Sequence, residues 1–427
     1  MKKNILLILL LSILGLQACT FEKKMETAVA TAVYSSEDYK ESIKDTKKNV
    51  VEIQITAVGD VMVHGPQLRA QYKQALKGYD FRNNFKFVKP YIEDADIALC
   101  NLETTFAGEK LGYSSFPQFN TPDALGDALK DTGFDVIITA NNHTLDKGRQ
   151  GVFRTIHVLK KLGLNIIGTQ DTQEEENFII KEIKNTKVGM IAYTYETPRN
   201  GGHKTLNALK MPKDLENHIN TFHYDTMKED LEEMHQEIKR MKEDGAEIIV
   251  FYLHWGNEYQ QQPNEQQRRM AQALASFGVD IIFGSHPHVL QPIEWIQQKE
   301  GSKNTLIVYS MGNFLSNQRY EIMKNRYTED GIIVNVIFNK DLDNNSLSLK
   351  EVSYTPTWVH KYLEDGKRVY EVLPLTDALN HPTAYHLINE NSLWRASNSK
   401  DNTVKLIESN ESIDTIFLAP SKSNNLK

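Results

Sequence analysis

Short apolar runs alternate with amphipathic stretches through most of this chain. A β-type run over residues 52–58 ends at Gly59-Asp60. Residues 66–93 read as helical, and 94–100 as a second strand. Thr121 as N-cap, Pro122 at the first helical position and Asp123 in the first turn predict a helix over 122–132. A strand follows over 134–139. The helix predicted over 149–162 aligns Val152, Ile156 and Leu159 on one face and stops at Gly163, before a strand over 164–168.

Two strand-like runs in 178–193 are split by Lys184-Asn185-Thr186-Lys187, which predicts a hairpin. A loop covers 196–204. Leu231, Met234, Ile238 and Met241 repeat at helical spacing within 225–243. A buried strand at 248–253, a helix at 266–277 and a strand at 279–283 come next. Strands at 306–310, 332–338 and 347–354 close the series. Beyond about residue 362 the pattern weakens, and 409–427 is a Ser-, Asn- and Lys-rich tail. Strands that alternate first with helices and then with hairpins predict an α/β protein with mixed sheets. Two packed sheets flanked by helices fit that order.

The N-terminus carries a targeting pattern. Lys2-Lys3 precede an apolar run over 5–16, too short to span a bilayer comfortably, and Leu16-Gln17-Ala18-Cys19 end it. This resembles a bacterial lipoprotein signal, in which Cys19 is lipidated and becomes the mature N-terminus. An ordinary secretory peptide or an uncleaved anchor is the alternative. The expected organisation is a signal peptide at 1–19, a polar tether at 20–50, a main domain at 51–360 and a partly disordered C-terminal extension at 361–427. The expected location is the cell envelope, exported and lipid-anchored in the cell membrane or outer membrane. With Cys19 blocked, Cys100 is the one remaining thiol, so no intrachain disulfide can form. Its place at the end of an apolar strand predicts packing. The 427 residues, 40% of them hydrophobic, support one large core, and the net charge of −7 argues against general nucleic-acid binding.

Candidate chemistry gathers at strand ends. Asp60, Glu103, Asn141-Asn142-His143, His254 and His286-Pro287-His288 each follow an apolar run. Asn and His are poor strand residues. In open α/β sheets, ligands bind beyond the carboxyl ends of the strands. Residues two apart in an extended segment project to one side, so His286 and His288 can clasp one metal or bind two; a pair of surface histidines is the plainer reading. Asp60 and Glu103 would be costly to bury without a cation, unless they cap a helix or form a salt bridge. Asn142 offers a neutral oxygen, with His143 beside it and suited to proton transfer. His64 follows Asp60 by one helical turn and can reach metal or substrate. Asn120, Asn141 and Asn313 are expected to contact substrate, with simple turn roles as the alternative.

The segments Ala57-Val58-Gly59-Asp60-Val61-Met62, Asn101-Leu102-Glu103, Thr139-Ala140-Asn141-Asn142-His143, His254-Trp255-Gly256, Gly284-Ser285-His286-Pro287-His288 and Tyr309-Ser310-Met311-Gly312-Asn313-Phe314 resemble the CapA family of poly-γ-glutamate capsule synthesis, over roughly residues 52–338. That family is similar to the calcineurin-like metallophosphoesterases. The resemblance implies a four-layer α/β/β/α sandwich and one or two divalent ions of Mn, Fe or Zn. It implies Asp60 and His288 at a first metal, Asn142, His254 and His286 at a second, Glu103 between them, and His143 protonating a leaving group. Two positions depart from the phosphoesterase pattern. Met62 stands where that pattern has His, and Glu103 where it has Asp. The first metal is then weak, absent or completed by His64. The implied role is capsule synthesis or anchoring, with an anionic polymer or phosphoester substrate and membrane polymer-synthesis partners. A polyanion-binding accessory without catalysis, or a metallophosphatase unrelated to capsule, are the alternatives.

Overall fold

The computed structural model describes residues 49–199, 201–297, 304–409 and 416–422. Cys19, the expected signal peptide and the tether as far as residue 48 lie outside them. Among the described residues, no helix is long and apolar enough to cross a membrane. Contacts divide the chain into Met1–Val50 with Asp341–Asn344, and Val51–Lys340 with Asn345–Lys427. In the small unit, the Leu342 N–H donates to the Asn49 carbonyl at 2.8 Å. The large unit holds the sheets and the site.

One sheet runs, edge to edge, Lys367–Pro374, Ser346–Glu364, Asp330–Asp341, Val50–Val61, Ile97–Leu102, Val136–Ile138 and Asn165–Ile167. The last four of these strands pair in parallel. Asn313–Leu315 also pairs, in parallel, with Val50–Val61. The second sheet runs Thr221–Phe222, Thr186–Tyr195, Ile248–His254, Ile281–Ser285, Asn304–Val308 and Ile293–Gln297. Its centre is parallel, and its hairpin partner Phe178–Ile183 is antiparallel to Thr186–Tyr195.

Strand alternation assigns the layers. Ile53, Ile55 and Ala57 share one buried cluster with Met190, Val250 and Tyr252 of the other sheet. The Tyr252 hydroxyl donates to the Val58 carbonyl at 3.0 Å, a hydrogen bond between the sheets. On the far face of the first sheet, Ala98 and Cys100 pack with Leu125, Ala128 and Leu129 of the helix Ala124–Thr132. On the far face of the second, Ile249 and Phe251 meet Met234, Ile238 and Met241 of Met227–Glu243, and Met270 and Leu274 of Glu265–Phe277. The result is the expected α/β/β/α sandwich. Each fully buried Ile, Leu or Phe in these layers contributes about 1.5–3 kcal/mol. Cys100 is a buried free thiol within the packing, and burial pushes its pKa up.

Several expectations need correction. Residues 66–93 are not one helix. Gly65–Gln71 ends in a small antiparallel pair, Tyr72–Lys73 with Gly78–Tyr79, followed by the short helices Arg82–Phe85 and Lys89–Glu93. Lys77 adopts a φ of 49° at the turn of that pair, a conformation that breaks a helix. The helix expected from Pro122 spans Ala124–Thr132, with Asp123 as N-cap and no side-chain cap bond. The boundary expected at residue 360 falls inside the strand Ser346–Glu364. Lys367–Pro374 extends the same sheet, and the helix Glu390–Glu408 buries Ile407 in the inter-sheet cluster. Weak periodicity hid these elements, because Glu390–Glu408 buries small and polar residues such as Ser392, Ser399 and Thr403.

Candidate metal centre

Parallel pairing brings the carboxyl ends of strands from both sheets to one place. Asp60 pairs with Asn101 on one side and Asn313 on the other, just after a register shift at Gly59. A Cβ on Gly59 would lie 2.0 Å from the Gly312 carbonyl oxygen, so only glycine permits this approach. In the second sheet, His254 pairs with Ser285, and His286 follows directly. His286 and His288 adopt φ values of 99° and 56° on either side of Pro287. Such backbone is costly for residues other than glycine and persists where the surroundings enforce it.

The side chains converge. Asp60 Oδ1 accepts from Asn101 Nδ2 at 2.8 Å, and its Oδ2 lies 3.0 Å from His288 Nδ1. His288 Nε2 is 3.7 Å from Glu103 Oε1, and His254 Nε2 is also 3.7 Å from that oxygen. His254 Nε2 lies 3.0 Å from Asn142 Oδ1, and its Nδ1 lies 3.0 Å from Ser285 Oγ. The His254 and His286 ring centroids are 4.8 Å apart. Asp60, Glu103 and His254 are fully buried, and Asn142, His286 and His288 nearly so.

The donor set fits a divalent cation. Both carboxylate oxygens of Glu103 and Nδ1 of His286 are buried without a hydrogen-bond partner among the described residues. Unpaired buried carboxylates are strongly unfavourable. Burial and then the neighbouring Asp60 push the Glu103 carboxyl well above its usual range. Burial and then His286 hold the His254 imidazole well below its own. Asp60, Glu103 and His288 form one compact ligand group, and Glu103, His254 and His286 another, each with atoms within 4.8 Å of one another. A cation shared through Glu103 would satisfy these atoms together.

His143 stands beside Asn142, its ring edge-on to Phe119 with centroids 4.7 Å apart. Asp146 Oδ2 lies 2.7 Å from its Nδ1. His64 joins none of the compact ligand groups found among the described residues, and its Nδ1 accepts the Asn317 N–H at 3.3 Å. Burial and then His288 lower its pKa to about 4.

The amide residues expected at substrate need correction. Asn120 Oδ1 accepts the Ala107 N–H, and its Nδ2 donates to the Gly108 and Gly112 carbonyls, so it clamps its own loop. Asn141 Nδ2 donates to Asn101 Oδ1 and the Leu102 carbonyl, while its Oδ1 accepts the His143 N–H. Both amides are fully used inside the protein. Asn313 Nδ2 donates to the His288, Thr328 and Gln318 oxygens and steadies the His turn; only its buried Oδ1 has no partner among the described residues.

Sequence reasoning gave no role to Asn101, Asp146 or Glu258. Asn101 links Asp60, Asn141 and His254. The His-x-x-Asp spacing of His143 and Asp146 was a readable signal. Glu258 forms a third compact group with His286 and His288, and lay four residues beyond His254.

Known proteins share this sequence pattern. Residues 54–318 match the family model of the bacterial capsule synthesis protein PGA_cap. The capsule biosynthesis protein CapA of Bacillus anthracis is 26% identical over 279 residues, which cover 62% of this chain and 60% of that protein. The chain thus spans less than two thirds of that relative. The PGA biosynthesis protein CapA of Bacillus subtilis is 27% identical over 339 residues, 74% of this chain and 81% of that protein. Among solved structures, a phosphatase from Mycoplasma pneumoniae aligns with a TM-score of 0.37 at 14% identity, over 76% of this chain and 96% of that one. A sulfate thiohydrolase from Thermus thermophilus aligns with a TM-score of 0.36 at 13% identity, over 75% of this chain and 45% of that one. The family match takes in every residue of the buried Asp–Glu–Asn–His cluster and more than half of the chain, and this protein belongs to the bacterial capsule synthesis family PGA_cap.

Proposed function

We propose that this protein serves the synthesis or anchoring of an anionic capsule polymer of the poly-γ-glutamate type, through a metal-dependent hydrolase site. One observation carries the hydrolase reading: among the described residues, neither buried carboxylate oxygen of Glu103 has a hydrogen-bond partner, and the group lies between the imidazoles of His254 and His288. Asp60 and His288 would hold one ion and Asn142, His254 and His286 a second, with Glu103 placed between the two groups. Mn, Fe or Zn suits this mixture of nitrogen and oxygen ligands. Such an ion supplies Lewis-acid polarisation of a phosphoryl or related oxygen and makes water more acidic. His143, oriented by Asp146, gives its proton to the leaving group. The polymer class is the one the CapA resemblance implies, and the Bacillus subtilis relative is named a PGA biosynthesis protein. In this reading Cys19 carries lipid, the body works outside the membrane that holds it, and membrane-bound synthesis proteins are its partners.

A second reading has one observation in its favour. Met62 is buried, and its thioether is a poor ligand for hard metals. A site short of one imidazole suits an accessory that grips a polyanion without cleaving it. The test is a panel of phosphoester and γ-glutamyl substrates, with Mn, Fe or Zn and with wild type beside His143→Ala. Turnover that depends on metal and on His143 supports the hydrolase. Metal and polymer binding without any turnover supports the accessory.

A further inference from the structure

The strand Ile248–His254 delivers His254 and then turns sharply. Gly256 takes a φ of 88° and Tyr259 a φ of 64°. A non-glycine residue at such a φ needs a reason. Here the turn is fastened to the histidine segment at two points. The Trp255 N–H donates to the Ser285 carbonyl at 3.1 Å, and the Tyr259 N–H to the Pro287 carbonyl at 2.7 Å. The Tyr259 ring also lies 6.1 Å from that of His288.

Glu258 sits between those fastenings. One of its carboxylate oxygens and one nitrogen each of His286 and His288 lie within 4.8 Å of one another. Both imidazoles are buried, whereas Glu258 is exposed, so it meets them from the solvent side. His286 Nδ1 is a second, independent pointer, being buried with no hydrogen-bond partner among the described residues. No arginine or lysine joins these three side chains in an ion pair among the described residues, so the carboxylate is not there to neutralise a basic side chain.

We propose that Glu258 is a metal ligand of this centre, an outer carboxylate that acts with His286 and His288. This rests on the metal reading above. An exposed carboxylate ligand can leave and return without unfolding anything, so it would set how readily an ion enters.

The test is calorimetric titration of the metal-stripped protein with Mn²⁺ and with Zn²⁺, for wild type, Glu258→Gln and Glu258→Asp, with the metal-free melting temperature as a folding control. Glu258 is exposed, so all three should melt alike without metal. The expected result is that Glu258→Gln loses one bound ion or binds it about 10–100-fold more weakly. Glu258→Asp, which keeps the charge on a shorter arm, should fall between. Wild-type stoichiometry and affinity in Glu258→Gln would overturn the assignment and leave the metal centre standing. A wild type that takes up neither ion would overturn both.

Discussion

Oδ2 of Asp146 lies 2.7 Å from Nδ1 of His143 and also accepts the Phe119 N–H at 2.6 Å. That fixes the carboxylate from two sides and, through it, the imidazole. A ring so held keeps its proton relationships constant, which in the proposed reaction leaves Nε2 for the leaving group. His143→Ala should retain metal and lose turnover by about 10²–10⁴-fold. Asp146→Asn should retain metal, lose less turnover and shift the pH profile of kcat. Equal turnover in wild type and His143→Ala would reject the role given to His143.

Gly59 lets the Val50–Val61 strand and Gly312 touch. Gly59→Ala puts a methyl 2.0 Å from a backbone carbonyl that cannot rotate away. We expect a loss of about 1–3 kcal/mol in urea unfolding. Metal affinity should fall with it, because the Asp60 N–H bonds to that same carbonyl at 3.0 Å. Wild-type stability in the variant would contradict a rigid contact between Gly59 and Gly312.

His360 gives a pH prediction away from the metal centre. Burial lowers its pKa from 6.5 to about 4. The unfolded chain therefore takes up a proton near pH 6.5, while the folded protein resists until about pH 4. Stability linked to this group is complete above pH 6.5 and falls as pH drops towards 4, by on the order of 3 kcal/mol. His360→Gln should flatten chemical-denaturation stability across that window. A variant that loses stability in parallel with wild type would show that other groups dominate.

The proposed lipid anchor has its own test. Cys19→Ser should release the protein from membranes or leave an unprocessed precursor. A processed, membrane-bound Cys19→Ser product would remove the anchor from the account.

The sandwich and the convergence of Asp60, Glu103, Asn142, His254, His286 and His288 were legible because both rest on short-range signals. Apolar runs such as 248–253 mark buried strands, and a polar residue directly after the run, such as His254, marks the strand end. Residues 66–93 misled because their helical periodicity continues across a turn that Lys77 makes by its backbone alone. The C-terminal strands and helix were missed because they bury polar groups, among them His360, Glu371 and Thr403. For an asparagine such as Asn120 or Asn141, a place near the expected site says nothing of its amide's partners. Whether its amide is already bonded depends on loop carbonyls such as those of Gly108 and Gly112, which spacing cannot reveal. Asp146 and Glu258 reach the site through turns, where sequence distance says little about direction.

In the proposed function, the buried cluster of Asp60, Glu103, Asn142, His254, His286 and His288 holds metal. Elemental analysis of protein purified without chelator tests it most directly, with His286→Ala alongside. The expected content is about one or two ions of Mn, Fe or Zn per wild-type chain, with a marked loss in His286→Ala, since metal sites lose about 10–100-fold in affinity when even an outer partner goes. A wild-type protein that carries no transition metal, and takes none up on titration, would contradict it.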